Sequence, residues 1–362
     1  MSPKVALLLL LAAVLIGCDA SPGAAFEEPY VFPPTRPEPY PMERRTYRSF
    51  AQLADLLASN DTLVDPTGTV RPEDIPSPTP LTCGRRVPGT AHRVRCAAGP
   101  PLGGYILEPP QPATASIVFL HGFTDAPWFY ATFFRSALTA APALFASVRV
   151  VAPLAPVYPN QAIVGLPPSD YFAWVDAAGV LNTTLPRLAD GADVATAEAV
   201  LRADTSVDDR LGLFLSTRRV EALIARERGT LRAGGAPGGG RVLLVGHSLG
   251  AAMATHIALV SRVRLDGVIP LQGIVPDART ALASKEAYHT GDRGYTVELV
   301  AGGADELVPP PVVEASARIV RDLLSGAARV KYTEQAGVSH TSFFSPGPGV
   351  KAVVGVLRRF LE

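Results

Sequence analysis

The chain has 362 residues, with 33 Lys and Arg against 33 Asp and Glu, a formal net charge of +0 and 48% hydrophobic residues. So balanced a charge argues against a nucleic-acid partner and against general electrostatic binding to a membrane surface. The apolar fraction can fill a large core, and the length suits one large domain behind an N-terminal extension.

In chain order, Lys4 to Cys18 is a single Lys followed by a run of Leu, Ala, Val and Ile, the pattern of an export signal and shorter than a membrane span. Retention as an anchor is the other reading. Leu15-Ile16-Gly17-Cys18 looks like a bacterial lipobox, which predicts a lipidated Cys18 as a membrane tether. Ordinary cleavage near Ala20 or Ala25 would instead give a secreted protein. Residues 1–20 are thus a signal segment and 21–100 a Pro-rich extension. Ser21 to Pro41 reads as an extended linker. Phe50, Leu53, Leu56 and Leu57 predict a short amphipathic helix over Tyr47 to Ser59. Asn60-Asp61-Thr62 and Asn182-Thr183-Thr184 match glycosylation acceptors that matter only in a eukaryotic secretory host. With Cys18 removed or lipidated, Cys83 and Cys96 remain, and an even pair in an exported chain predicts a disulfide. Two unpaired thiols are the alternative.

Residues 101–362 form the second unit, led by a strand pair within Gly89 to Pro109. Strands are predicted at Ile117 to Leu120, Val148 to Ala152, Val242 to Val245, Gly267 to Leu271, Tyr295 to Ala301 and Val330 to Glu334. Helices are predicted near Trp128 to Ala140, Thr217 to Arg232, Ala251 to Val260, Pro311 to Leu324 and Val350 to Leu361. In the second of these, Val220, Leu223, Ile224 and Leu231 make one apolar stripe. This alternation gives an α/β class with a mostly parallel sheet and helices on both faces. Gly179 to Leu211 is the least regular part. Gly238-Gly239-Gly240 is a turn, and neither a dinucleotide fingerprint nor a P-loop is present.

The most informative stretch is Gly246-His247-Ser248-Leu249-Gly250, between the Val242 strand and the Ala251 helix. Strand, G-x-S-x-G and helix together make a nucleophile elbow. The turn is so sharp that side chains at Gly246 or Gly250 would strike backbone. The helix that follows aims its N-terminal N–H groups at the place where negative charge develops on a reacting carbonyl.

A serine nucleophile needs a base, and the base needs a carboxylate to orient it. In α/β-hydrolases these follow in the order Ser, acid, His. Of the histidines after Ser248, His256 lies in the next helix, too close in sequence to return. His289 lies in a polar stretch with no strand before it. His340 follows a strand and a Gly loop and is the expected base. Asp305, in the loop after the Tyr295 strand, is the expected acid; Glu306 and, less well placed, Asp292 are the alternatives. Phe123 and Leu249 are the expected backbone donors of the oxyanion hole, and His121 is expected to pack and hydrogen-bond beneath it. No residues at ligand spacing around His121 suggest a metal.

Several blocks resemble the phospholipase/carboxylesterase family of α/β-hydrolases, which includes acyl-protein thioesterases. They are Phe119-Leu120-His121-Gly122-Phe123-Thr124-Asp125, Val151 to Pro159, Tyr171-Phe172-Ala173-Trp174-Val175-Asp176, Gly302 to Pro309 and Gly337-Val338-Ser339-His340. The likeness covers Leu102 to Glu362 and implies Ser248, Asp305 and His340 as a triad. The family often carries Ser-Gln-Gly at the elbow; this chain has Ser248-Leu249-Gly250, the more general lipase and esterase form. The expected activity is cofactor-independent cleavage of a small-molecule or lipid carboxylic ester through an acyl-enzyme. A lipase, lysophospholipase or thioesterase is the alternative enzyme, and an inactive hydrolase fold used for binding is the alternative outside catalysis. Tyr171, Phe172 and Trp174, with Ile163 and Leu166, are the candidate lining of an acyl pocket; ordinary core packing is the equal alternative for each. Gly179 to Leu211 lies where hydrolases insert caps.

Overall fold

Runs of Val, Ile and Leu bounded by Gly, Pro and polar turns dictate the central layer. The computed structural model describes residues 84–97, 104–123, 125, 127–161, 169–188, 191–204, 209–261, 263–283, 294–324, 326–344 and 347–362. The signal segment, Cys18, the linker, the Tyr47 to Ser59 helix, Asn60, Cys83, Ile163, Leu166, His289 and Asp292 lie outside the described residues, as does the side chain of Cys96.

The strands are β1 (Arg93–Ala97), β2 (Gly104–Glu108), β3 (Ala115–Leu120), β4 (Val148–Pro153), β5 (Val157–Gln161), β6 (Ser169–Phe172), β7 (Arg241–His247), β8 (Gly267–Leu271), β9 (Thr296–Gly302) and β10 (Arg329–Gln335). Eight of them form one sheet in the order β1-β2-β4-β3-β7-β8-β9-β10; β5 and β6 pair separately. The β1–β2 and β2–β4 pairs are antiparallel and the rest of the large sheet is parallel. The stretch read as a Pro-rich extension therefore ends inside the sheet, since β1 is its edge strand.

The main helices are α1 (Ala131–Ala140), α2 (Val194–Ala203), α3 (Arg210–Ala233), α4 (Leu249–Val260), α5 (Pro310–Leu324) and α6 (Pro348–Leu361). Alternation along the strands divides the core. Val118, Leu120, Val242 and Leu244 pack with Leu201, Ile224, Met253 and Val312 from α2 to α5. Ile117, Phe119, Leu243 and Val245 pack on the other face with Phe133 and Val353 from α1 and α6. Successive residues of a strand thus serve opposite layers.

Two expectations change. Gly179 to Leu211 is largely helical: a π-helical turn at Val180–Thr184, a short helix at Leu185–Leu188, and α2. Asp193 caps α2 by accepting the Thr196 N–H at 2.7 Å, and Leu188, Ala197 and Leu201 are buried in the core. Apolar residues without a clean period were filling gaps between helices. The helix expected from Thr217 also starts earlier. Asp209 accepts the Gly212 N–H at 2.7 Å and so caps α3. No described helix is long and apolar enough to cross a membrane.

Candidate active site

Sheet topology assembles the site. From β3 the chain turns to β4 on one side, and β7 lies on β3's other side, so β3 and β7 diverge at a switch point where ligands of open α/β sheets bind. Leu120 pairs with Gly246, which sets the loop after β3 beside the turn after β7. Gly302 pairs with Gln335, which sets the loops after β9 and β10 side by side.

Ser248 occupies the turn between β7 and α4 with φ 53° and ψ −116°. This is a strained conformation for a residue with a Cβ. The strain is held from several sides. The Ser248 N–H donates to Leu271 O at 3.0 Å, and Ser248 O accepts from the Ala251 and Ala252 N–H groups at 3.0 Å each. A Cβ on Gly246 would stand 2.1 Å from Gly250 O, and one on Gly250 would stand 2.2 Å from Leu120 O. Both glycines are therefore required by close backbone approach. Ser248 itself is half-buried, and Leu249 opens α4, where N–H groups have no partner within the helix.

Asp305 and His340 come together across the β9 and β10 loops: His340 Nδ1 donates to Asp305 Oδ2 at 2.8 Å. The other carboxylate oxygen accepts the Leu307 and Val308 N–H groups at 2.8 and 2.9 Å. Asp305 is 4% exposed, so these bonds replace its lost hydration. The neighbouring Glu306 is exposed, which selects Asp305 between the two. The base loop is tied down by Gln272, at φ 55°, which donates from Nε2 to Ser339 O at 2.9 Å. His247 ties it to the elbow: its Nε2 donates to His340 O at 3.2 Å, and the two rings are 4.9 Å apart.

The floor of the site comes from the loop after β3. His121 is fully buried; its Nδ1–H donates to Gly122 O at 2.8 Å and its Nε2 accepts the Ala155 N–H at 2.9 Å. Burial lowers its pKa to about 4, so the ring stays neutral. Trp174 donates from Nε1 to His121 O at 2.9 Å and is 0% exposed. This fits the core-packing reading of Trp174: the indole is a core strut beneath the loop, because its polar edge finds a buried carbonyl there. Tyr171 and Phe172 lie on β6, and their side chains are outside the described residues, while Phe123 is half-buried at the loop. His256 is buried in α4, away from any base role, with its pKa lowered to about 4 by burial. Among the described residues, no three His, Cys, Asp or Glu side chains gather as a metal set.

Three residues at the site carried no expected role: Asp125, Tyr130 and His247. Tyr130 accepts the Gly122 N–H at 3.1 Å, donates to Asp125, and stands 2.8 Å from His247 Nδ1. His247 was visible only as the variable residue of the elbow motif, and Asp125 only as the last residue of the Phe119 to Asp125 segment.

Residues 117–348 match the model of the alpha/beta hydrolase family. No curated protein matches the chain. Among solved structures, Arabidopsis thaliana SOBER1 is 17% identical over 68% of this chain and 99% of that one, with a TM-score of 0.48. Zea mays acyl-protein thioesterase 2 is 20% identical over 71% and 98%, with a TM-score of 0.49. A phospholipase/carboxylesterase from Dyadobacter fermentans is 18% identical over 74% and 97%, with a TM-score of 0.40.

Proposed function

The chain belongs to the alpha/beta hydrolase family, and from that premise we propose that it is a serine hydrolase of carboxylic esters. The observation that carries this reading is the hydrogen-bonded Asp305–His340 pair, at 2.8 Å, tied through His247 to a serine held at φ 53°. Acyl transfer needs an accessible serine and an oriented imidazole, and here the residue before the strained serine, His247, has its ring 4.9 Å from the His340 ring.

In this mechanism Ser248 Oγ attacks the ester carbonyl carbon while His340 Nε2 takes its proton. The Phe123 and Leu249 N–H groups hold the oxyanion of the tetrahedral intermediate. The carbon–oxygen bond to the alcohol then breaks, and His340 returns the proton to that oxygen. Water, with His340 again as base, attacks the acyl-enzyme and releases the acid. Asp305 keeps His340 in the Nδ1–H tautomer that leaves Nε2 free to accept. Every step uses protein groups and water, so the mechanism calls for no cofactor.

The test is labelling with a fluorophosphonate probe, read by peptide mapping, together with turnover of p-nitrophenyl esters of graded chain length. Labelling of Ser248 and ester turnover are expected. Folded protein that neither labels nor turns over any ester of the series would overturn the reading and favour a binding module.

A further inference from the structure

His247 and Asp125 are titratable, lie at the site, and have no part in the mechanism above. Their protons can be counted. His340 O is a carbonyl, so His247 Nε2 must donate to it, at 3.2 Å. In a neutral His247 ring, Nδ1 must then accept, and the group that faces it is the Tyr130 hydroxyl at 2.8 Å. Tyr130 also faces Asp125 Oδ2 and already accepts the Gly122 N–H. The phenol has one proton for two acceptors. When Asp125 is protonated, it donates to Tyr130, which donates to His247, which donates to the base loop, and every group is satisfied. When Asp125 is ionised, it takes the Tyr130 proton and leaves His247 Nδ1 without a donor.

We propose, resting on the reading of His340 as the base, that Asp125 is a second carboxylate serving that base. It is a positioning residue. Ionised, it steadies the positive charge that His340 gains while holding the Ser248 proton. Its hydrogen bond from Tyr130, which also accepts the Gly122 N–H, holds that carboxylate at the oxyanion loop.

The electrostatics agree in sign. Burial pushes the Asp125 carboxyl up to about 6, against the lowering effects of the Tyr130 bond, of charge on His340 and of the Gly122 N–H. The influence of His340 on Asp125 is reciprocal: an ionised Asp125 must favour a charged His340 by the same free energy. The groups acting on Asp125 are Tyr130 on the turn Pro127–Tyr130, the Gly122 N–H and the charge of His340; those acting on His247 are Tyr130, His340, the Gln272 side chain and His121. Burial holds Tyr130 well above its ordinary range and His247 well below, so neither carries charge near neutrality. Phe344 seals the network, its ring 4.7 Å from Tyr130 and 4.4 Å from His247.

The experiment is the pH dependence of kcat and kcat/KM for p-nitrophenyl butyrate in the wild type, Asp125→Asn and Tyr130→Phe, with fluorophosphonate labelling of each. In the wild type, the acid limb should carry, besides the loss of the base, a separate partial fall as Asp125 takes up its proton. Asp125→Asn keeps a donor to Tyr130 but loses the charge. Its limb should take up one proton, with a midpoint lower by about half a pH unit, less than a directly paired charge would give. Its plateau kcat should fall about threefold with KM unchanged, the size of a change of half a pKa unit. Tyr130→Phe should lower kcat similarly by removing the hydrogen bond that holds the Asp125 carboxylate. A residue that merely supports the fold would not move the midpoint. Superposable acid limbs in wild type and Asp125→Asn, with both labelled, would overturn the proposal and leave the hydrolase reading intact. If Asp125→Asn does not fold, NMR titration of the His340 imidazole in the wild type decides. Two steps support the coupling and a single step overturns it, even if the wild type neither labels nor turns over ester.

Discussion

Glu227 and Asp305 are buried carboxylates at opposite ends of the sheet, and they differ in what they face. Glu227, on α3, is 1% exposed and meets the starts of β3 and β4, where Ser116 Oγ donates at 2.9 Å and Arg149 Nε at 2.8 Å. Asp305, 4% exposed, meets two backbone N–H groups and His340 beyond the ends of β9 and β10. Desolvation is similar at the two sites. Arginine keeps its charge at any working pH, so the Glu227 pair is fixed. Histidine can give and take a proton, so in the proposed mechanism the Asp305 pair orients a base. The same kind of buried charge is a brace at one end and, in that mechanism, the base's orienting acid at the other. The strained backbone of the elbow lies at the Asp305 end of the strands.

The comparison breaks most sharply at Ser248. Ser248→Ala should cut ester turnover by about 10³-fold or more while leaving thermal unfolding unchanged, since the turn accepts a small side chain. Retained turnover in a folded variant would remove the chemistry from this end of the sheet.

Asp305→Asn should lower kcat by on the order of 10³-fold with little change in KM, because the amide favours the wrong His340 tautomer. Glu306→Gln should be nearly silent in the same assay, Glu306 being exposed. A larger loss from Glu306→Gln would reassign the acid.

At the opposite end, Glu227→Ala should cost stability and spare kcat. It leaves Arg149 buried with only Glu108 as a carboxylate partner among the described residues. Breaking a buried pair in this way costs about 3 kcal/mol. Denaturant midpoints and kcat measured on the same preparation test the division. A matched fall in kcat of the folded protein would mean that the two ends are not independent.

A pH dependence of stability belongs to the whole fold and not to either end. His121 and His256 are lowered from 6.5 to about 4 and His247 well below 6.5, all by burial. The unfolded chain binds more protons at these sites, so their contribution is present above about pH 6.5 and is lost as pH falls toward 4. Asp125, raised from 3.8 to about 6, works the other way and regains stability on acidification. Three histidines against one carboxylate leave a net loss, about 1.4 kcal/mol per pH unit for each net proton. Urea midpoints should fall between about pH 6.5 and 4.5; a flat response would show that these rings are not held neutral.

The amino-acid sequence by itself determined the parallel sheet, the main helices and the chemical types at the site. Strands such as Gly267–Leu271 are local apolar runs, and the elbow is a local turn whose glycines, Gly246 and Gly250, are demanded by backbone contact. Chain order narrowed the base to His340 and the acid to Asp305 or Glu306, because each follows a legible strand. Only the tertiary structure decided between Asp305 and Glu306, since exposure depends on which of two adjacent side chains the β9 loop turns inward. It also decided for Trp174 between pocket wall and core, and folded the described part of Gly179 to Leu211 largely into helices, because both depend on surfaces supplied by distant segments. The Asp125–Tyr130–His247 network was invisible for the same reason. Asp125 and Tyr130 are five residues apart, but His247 lies 117 residues from Tyr130 and the base loop another 93 beyond it. Their hydrogen bonds exist only once β3, β7 and β10 have set their loops side by side.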